Sequence, residues 1–265
     1  MTGTEKRGIE DLMAFGLEII RRSGEVALSY YGKARAAVKF DERLVTEAEL
    51  ALREFFREEV ERNYPEHQIF MNTQDTQNYT HRGNGALWVY NPLDGVANFQ
   101  GGIPIWGSSL ALLENFWPIL GVFHMPATGD LFHALAGKEA FHGDSKIHVS
   151  SEEDIDDESM LLTYSRFHQQ FRSSFPGKIR NMGCTNAHVC YVAMGRADAA
   201  ILANVTYEDL AACRIIVESA GGKIYGMDGT EFFLNEYLDG RRISDPIVVT
   251  APATQGLVRE YIQGS

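Results

Sequence analysis

Four short stretches carry side chains whose type and setting could do chemistry. Asp94 follows a strand-like run, Ala86 to Tyr90, and the turn dipeptide Asn91-Pro92. Its carboxylate therefore stands just past the end of a buried strand, where α/β sheets commonly place ligands. Gly183-Cys184-Thr185-Asn186 opens a helix, and the N–H groups of a helix N-terminus suit a phosphate. Asp209 precedes the apolar run Leu210 to Val217, and Glu49 closes Thr46-Glu47-Ala48-Glu49 ahead of Leu50, Leu52, Phe55 and Phe56. Each also has a plain structural reading: Asp94 as a turn residue, Asp209 as a helix N-cap, Glu49 as partner of Thr46 in a capping box. The glycine stretch reads equally as a loop-to-helix junction. Alone, none of the four specifies an activity.

The elements that must position these residues follow from periodicity. Ile9, Leu12, Met13, Leu17, Ile20 and Ala27 predict an amphipathic helix over residues 8–31, loosening near Gly24. A second helix is expected from Thr46 to just before Tyr64-Pro65. A short strand at 68–70 enters a polar loop, Asn72 to Asn84, whose length marks it as functional or mobile. Runs at 108–113, 119–123 and 130–134, separated by turn residues, predict an antiparallel meander. The acidic run Glu152 to Glu158 is the expected boundary between an N-terminal α+β lobe (1–150) and a C-terminal α/β lobe (151–265). In the second lobe strands at 160–164, 199–203 and 247–250 alternate with helices at 186–194 and 210–220, and a short C-terminal helix follows.

Composition bounds the class. The 265 residues, 45% hydrophobic and 23% charged, can bury a sizeable core. With 24 basic against 36 acidic residues the net charge is −12, which argues against nonspecific binding to nucleic acid or to an anionic membrane. No apolar run approaches the roughly 20 residues of a membrane span, and residues 1–7 carry no apolar leader segment. Cys184, Cys190 and Cys213 form no CxxC pair, so reduced thiols and a cytoplasmic location are expected.

Taken together the stretches are far more specific. Trp88 to Phe99, W-V-Y-N-P-L-D-G-V-A-N-F, resembles the W-x-x-D-P-x-D-G-T-x-N-F signature of the inositol monophosphatase family. Tyr207-Glu208-Asp209-Leu210-Ala211 with Ala220-Gly221-Gly222 is similar to that family's late W-D-x-A motif and A-G-G. Leu44-Val45-Thr46, Gly137 to Phe141, Gly195 to Ala199 and Gly222 to Gly229 are similar too, in order, over about residues 10 to 250. The resemblance implies an αβαβα layered sandwich of the inositol monophosphatase and fructose-1,6-bisphosphatase type. It implies a homodimer that hydrolyses a phosphate monoester with two or three Mg²⁺. In-line attack by a metal-bound water is the implied mechanism, with hard oxygen ligands clamping the attacking and leaving oxygens.

Carried over residue by residue, the resemblance makes Asp94, Asp209, position 91 and the Leu93 carbonyl the metal ligands. It assigns the phosphate to Gly95, Val96 and Ala97 and to Gly183, Cys184, Thr185 and Asn186. Three positions depart. The first signature Asp is Asn91, the ligand Glu of the upstream G-E-E is Asn72, and the water-positioning Thr is Val96. Leu202 replaces a Glu that contacts the inositol ring in animal enzymes. Two of four ligand charges are gone, and one unit-charge pair at 4 Å is worth roughly 4 kcal/mol at an effective dielectric of 20. Weak or absent Mg²⁺ binding follows, and with it an impaired phosphatase that binds a small phosphorylated ligand or a partner. The alternative is a working sugar- or inositol-phosphate phosphatase rescued by Asp75, Glu49 or Glu208. A third is that some of the Asn residues are engineered to trap an active enzyme.

Overall fold

A computed structural model describes residues 8–33, 42–70 and 85–264. Two helices, α1 (Ile9–Leu28) and α2 (Glu42–Asn63), precede a seven-stranded sheet: β1 (Gln68–Phe70), β2 (Ala86–Asp94), β3 (Gly107–Glu114), β4 (Trp117–Met125), β5 (Asp130–Leu135), β6 (Ala140–His142) and β7 (Ser145–Ile147). The strands lie in sequence order; β1 pairs parallel to β2 and all later pairs are antiparallel. The expected meander is present and runs two strands further. A short helix, α3 (Val96–Gly101), follows β2 directly.

The second half holds β8 (Met160–Thr163), α4 (Phe167–Gln170), β9 (Phe171–Ser173), β10 (Lys178–Arg180), α5 (Thr185–Ala193), β11 (Ala199–Leu202), α6 (Tyr207–Ser219), β12 (Lys223–Gly226), β13 (Ile247–Thr250), α7 (Gln255–Glu260) and β14 (Ile262–Gly264). Five of these strands form a mixed sheet in the order β10-β8-β11-β13-β12, and β14 pairs with β9.

Three core clusters define the layers. Helices α1 and α2 cover one face of the large sheet through Ile19, Ile20, Leu52 and Phe56 against Trp88, Tyr90, Leu110 and Val122. The opposite face, with Leu87, Val89, Ala111 and Phe123, packs on α5 and α6, whose other side meets Leu162, Ala200 and Val249 of the second sheet. Outside that sheet, Val258 of α7 and Phe167 of α4 close on Leu161, Ile201 and Val248. This is the αβαβα sandwich, with α5 and α6 in the middle layer. The acidic run lies between β7 and β8 without helix or strand.

Three element expectations need correction. The first helix does not loosen at Gly24, which is buried where a Cβ would come within 2.8 Å of Pro126 and 2.9 Å of His124. The missing side chain lets α1 lie close on the β4–β5 turn. The second helix starts at Glu42, so Thr46 sits inside it and does not open it. The buried stripe Val45, Ala48, Leu52, Phe56, Val60 already begins upstream of the proposed cap, and the Arg43–Glu47 ion pair at 2.8 Å spans the first turn. The sixth helix begins at Tyr207 with Thr206 as N-cap, so Asp209 is the third helical residue and not the cap.

Candidate active site

Alternation along β2 decides where its polar end points. Leu87 and Val89 face α5 and α6, Trp88 and Tyr90 face α1 and α2, so Asn91 falls on the α6 side. Without interruption Asp94, three residues on, would face away. The register against β3 slips between Asn91, opposite Ser109, and Asp94, opposite Gly107. This bulge absorbs one residue and returns Asp94 to the face of Asn91. Pro92 fits there because it has no N–H to pair, and its carbonyl accepts from the Ser108 hydroxyl at 2.7 Å. The Asn91-Pro92 turn expected after Tyr90 is thus a bulge within the strand. Gly95 follows at φ +80°, and a Cβ on it would meet the Ile105 carbonyl at 2.8 Å, so glycine is required on both counts.

Asp94 reaches the start of α5. Its Oδ1 accepts from the Thr185 N–H at 3.2 Å, and its Oδ2 from the Asn186 N–H at 2.6 Å and the Asn186 side-chain amide at 2.9 Å. The helix's own N-cap residue, Cys184, makes no capping bond, so a carboxylate from the other half of the chain does that work. Thr185 and Asn186, expected to hold phosphate, present these groups to Asp94. The second carboxylate is held comparably. Asp209 Oδ2 accepts from the Thr206 N–H at 2.7 Å and its hydroxyl at 2.9 Å, closing a capping box on α6.

Asn91 completes the arrangement. Its Oδ1 accepts from the Leu93 N–H at 3.2 Å, which fixes the amide orientation and turns Nδ2 toward Asp209 Oδ1 at 2.9 Å. Each carboxylate therefore accepts from one side-chain amide, Asp94 from Asn186 and Asp209 from Asn91. Burial raises the Asp209 carboxyl to about 6, with the charge of Asp94 adding to the rise and Thr206 and Arg242 restraining it. The Cys184 thiol, beside Asp94, is pushed well up by burial, and all three cysteines are buried and free.

Among the described residues no three His, Cys, Asp or Glu side chains gather as a metal-binding group. The structure brings Asp94, Asp209 and Asn91 together. It does not add Glu49, half-buried in α2 with its carboxyl raised by burial against the pull of Arg53, nor Glu208 in the first turn of α6. Asn72 and Asp75 lie outside the described residues. Val96 and Ala97 open α3, whose N-terminus has no side-chain cap.

A cleft of about 180 Å³ opens beside this network, lined by Gly183, Cys184, Thr185 and His188 on one side and Leu202, Ala203 and Val205 on the other. Tyr164, Ser165 and Asn181 complete it. His188 escapes sequence reasoning because it stands in an apolar helical run, where a histidine reads as core. Only the fold shows the Met182 N–H donating to its Nε2 at 2.9 Å, while burial lowers the imidazole to about 4 against the attraction of Asp94.

The sequence model of the inositol monophosphatase family matches residues 9–258 of this chain. The chain belongs to the inositol monophosphatase family. This family member is 29% identical over 233 residues to the histidinol-phosphatase of Chlorobaculum parvum, spanning 84% of this chain and 88% of that protein. It is 27% identical over 247 residues to the fructose-1,6-bisphosphatase/inositol-1-monophosphatase of Thermotoga maritima, spanning 90% and 94%. Its fold superposes on a solved Thermotoga maritima IMPase with a TM-score of 0.78, over 95% of this chain and 96% of that one, at 24% identity. The inositol monophosphatase family is one of phosphoric monoester hydrolases, and this chain is a phosphatase-like member with that fold. Among its described residues no helix is long and apolar enough to cross a membrane.

Proposed function

We propose that this family member binds a small phosphorylated ligand in the cleft beside Asp94 and hydrolyses it poorly or not at all. The single observation that carries the reading is the contact from Asn91 Nδ2 to Asp209 Oδ1. Family hydrolysis uses Mg²⁺, which requires hard oxygen ligands directed at the ion. Here position 91 directs an N–H at its neighbouring carboxylate, its one oxygen is taken by Leu93, and Asp94 accepts from three donors. That donor set does not fit a pair of divalent cations at the two carboxylates. Val96 adds to the deficit, since its side chain has no hydroxyl to orient a water.

A second reading, retained hydrolysis, draws on one observation. Asp94 lies close enough to raise the Asp209 carboxyl, so two acids still converge where a cation would relieve their repulsion. Asp75, Glu49 or Glu208 would then have to complete the ligand set.

Phosphate release separates the two. Inositol 1-phosphate, fructose 1,6-bisphosphate and adenosine 3′,5′-bisphosphate are offered in millimolar Mg²⁺ to the natural protein and to the triple variant Asn72→Glu, Asn91→Asp, Val96→Thr. The expected outcome is turnover by the variant alone. Enzyme-like turnover by the natural protein would overturn the proposal in favour of the second reading.

A further inference from the structure

His188 is 3% exposed, lines the cleft and has one ring nitrogen accounted for. A backbone N–H can only donate, so Nε2, which receives the Met182 N–H at 2.9 Å, must be the unprotonated nitrogen. The proton of the neutral ring is then on Nδ1. Among the described residues no acceptor takes it, and it is not one of the fully buried unpartnered side-chain atoms, so an acceptor can reach it. The cleft that His188 lines is the route by which an acceptor would arrive.

The rim supplies a second clue. Ser165 and Asn181 both line the cleft, and the Asn181 side-chain amide donates to the Ser165 hydroxyl at 2.9 Å. Their sequence neighbours Arg166 and Arg180 are exposed, and among the described residues neither meets a carboxylate; Arg180 donates only to the Ile179 carbonyl at 3.0 Å. Arg242 donates to the carbonyl of Asn204, the residue between the lining residues Ala203 and Val205, at 2.7 Å. In a chain of net charge −12, residues 159–206 contain Asp198 as their single acidic residue, and no carboxylate lines the cleft. The wall of Leu202, Ala203 and Val205 offers no side-chain donor or acceptor for a sugar hydroxyl.

We infer that His188 is a ligand-binding residue, its Nδ1–H donating to an anionic oxygen in a metal-independent site, with Arg166 and Arg180 facing a second anionic group on the same ligand. The ligand class is a small bis-anion, such as a bisphosphate, recognised by charge and by a fixed imidazole tautomer. This rests on the preceding reading that the cleft takes a phosphorylated ligand. It differs from metal-held phosphate because every group named belongs to the chain.

The test uses the full chain in EDTA, with histidine ¹⁵N labelling and calorimetry, and with inorganic phosphate and fructose 1,6-bisphosphate as probes. The natural protein is expected to show His188 protonated at Nδ1, and phosphate should shift that resonance. His188→Phe should weaken phosphate about 10-fold or more, as expected for a hydrogen bond to a charged group. The exposed pair Arg166→Gln with Arg180→Gln should erase an about 10-fold preference for the bisphosphate over phosphate. If the natural protein binds neither probe, the phosphorylated-ligand reading itself fails. If it binds phosphate while His188 is protonated at Nε2 or its resonance stays still, only the present inference is overturned. Because the tautomer is read on the natural protein, the inference can fail even if His188→Phe does not fold. A bisphosphate preference surviving loss of both arginines would overturn their role.

Discussion

Replacing Asn91 by Asp is the sharpest single perturbation of this site. Asp keeps the oxygen that accepts from the Leu93 N–H but turns a carboxylate oxygen toward Asp209 Oδ1, where an N–H now donates at 2.9 Å. The lost hydrogen bond to a charged group is worth about 1.5–3 kcal/mol. Repulsion between the two carboxylates adds at most roughly 4 kcal/mol at 4 Å and an effective dielectric of 20, and proton uptake limits it. A net loss of about 3 kcal/mol at pH 8 lowers the melting temperature by about 6–12 °C in a chain of this size. The sign with pH follows from the pair. Mutual repulsion raises its folded-state pKa, so the destabilisation is full above that pKa and fades as pH falls and one shared proton replaces the lost N–H. Thermal melts at pH 8 and pH 5, in EDTA and in millimolar Mg²⁺, read all of this. The variant should melt low in EDTA at pH 8, recover toward pH 5 and gain stability from Mg²⁺, while the natural protein ignores both additives. A variant that melts with the natural protein in EDTA at pH 8 would refute the role given to the Asn91 amide.

Two further expectations concern the same middle layer. Asp94→Ala removes the acceptor of three donors at the start of α5 and should cost about 2–4 kcal/mol, read as a lower urea midpoint, with no Mg²⁺ needed to see it. His188, lowered to about 4 by burial, remains neutral where the unfolded chain's histidine takes a proton. Stability should therefore fall as pH drops from about 6.5 toward 4, by up to about 3 kcal/mol, and His188→Leu should flatten that slope in denaturation curves at pH 7 and 4.5.

Much of the architecture is legible in the chain because it rests on periodicity. The continuous apolar Leu87 to Tyr90 run, buried on both faces, the meander and the stripe through α2 follow from which faces are buried. Helix starts are harder, since Thr46 and Asp209 both look like openings and neither is one. At α6 the pattern Thr206 to Asp209 contains the box, but only the observed bonds show Thr206 as the cap. The convergence of Asp94 and Asp209 is visible through the family signature, whereas the direction of the Asn91 amide depends on the Leu93 N–H, a backbone detail no spacing reveals. The stretches carrying Arg166 and Arg180 meet only through the Ser165–Asn181 contact, and His188 acquires a defined tautomer only from Met182.

The bond from Asp94 to α5 has a consequence for how such proteins are recognised in genomes. Asp94 and Asp209 each secure the first turn of a middle-layer helix, one from across the sandwich and one from within its own turn. Both acids thus have a folding role that does not depend on turnover. Retained aspartates at these two positions are therefore poor witnesses to hydrolysis, and a search keyed to them would label silent members as phosphatases. The discriminating positions are 91 and 96, neither of which caps a helix among the described residues, together with position 72 of the sequence.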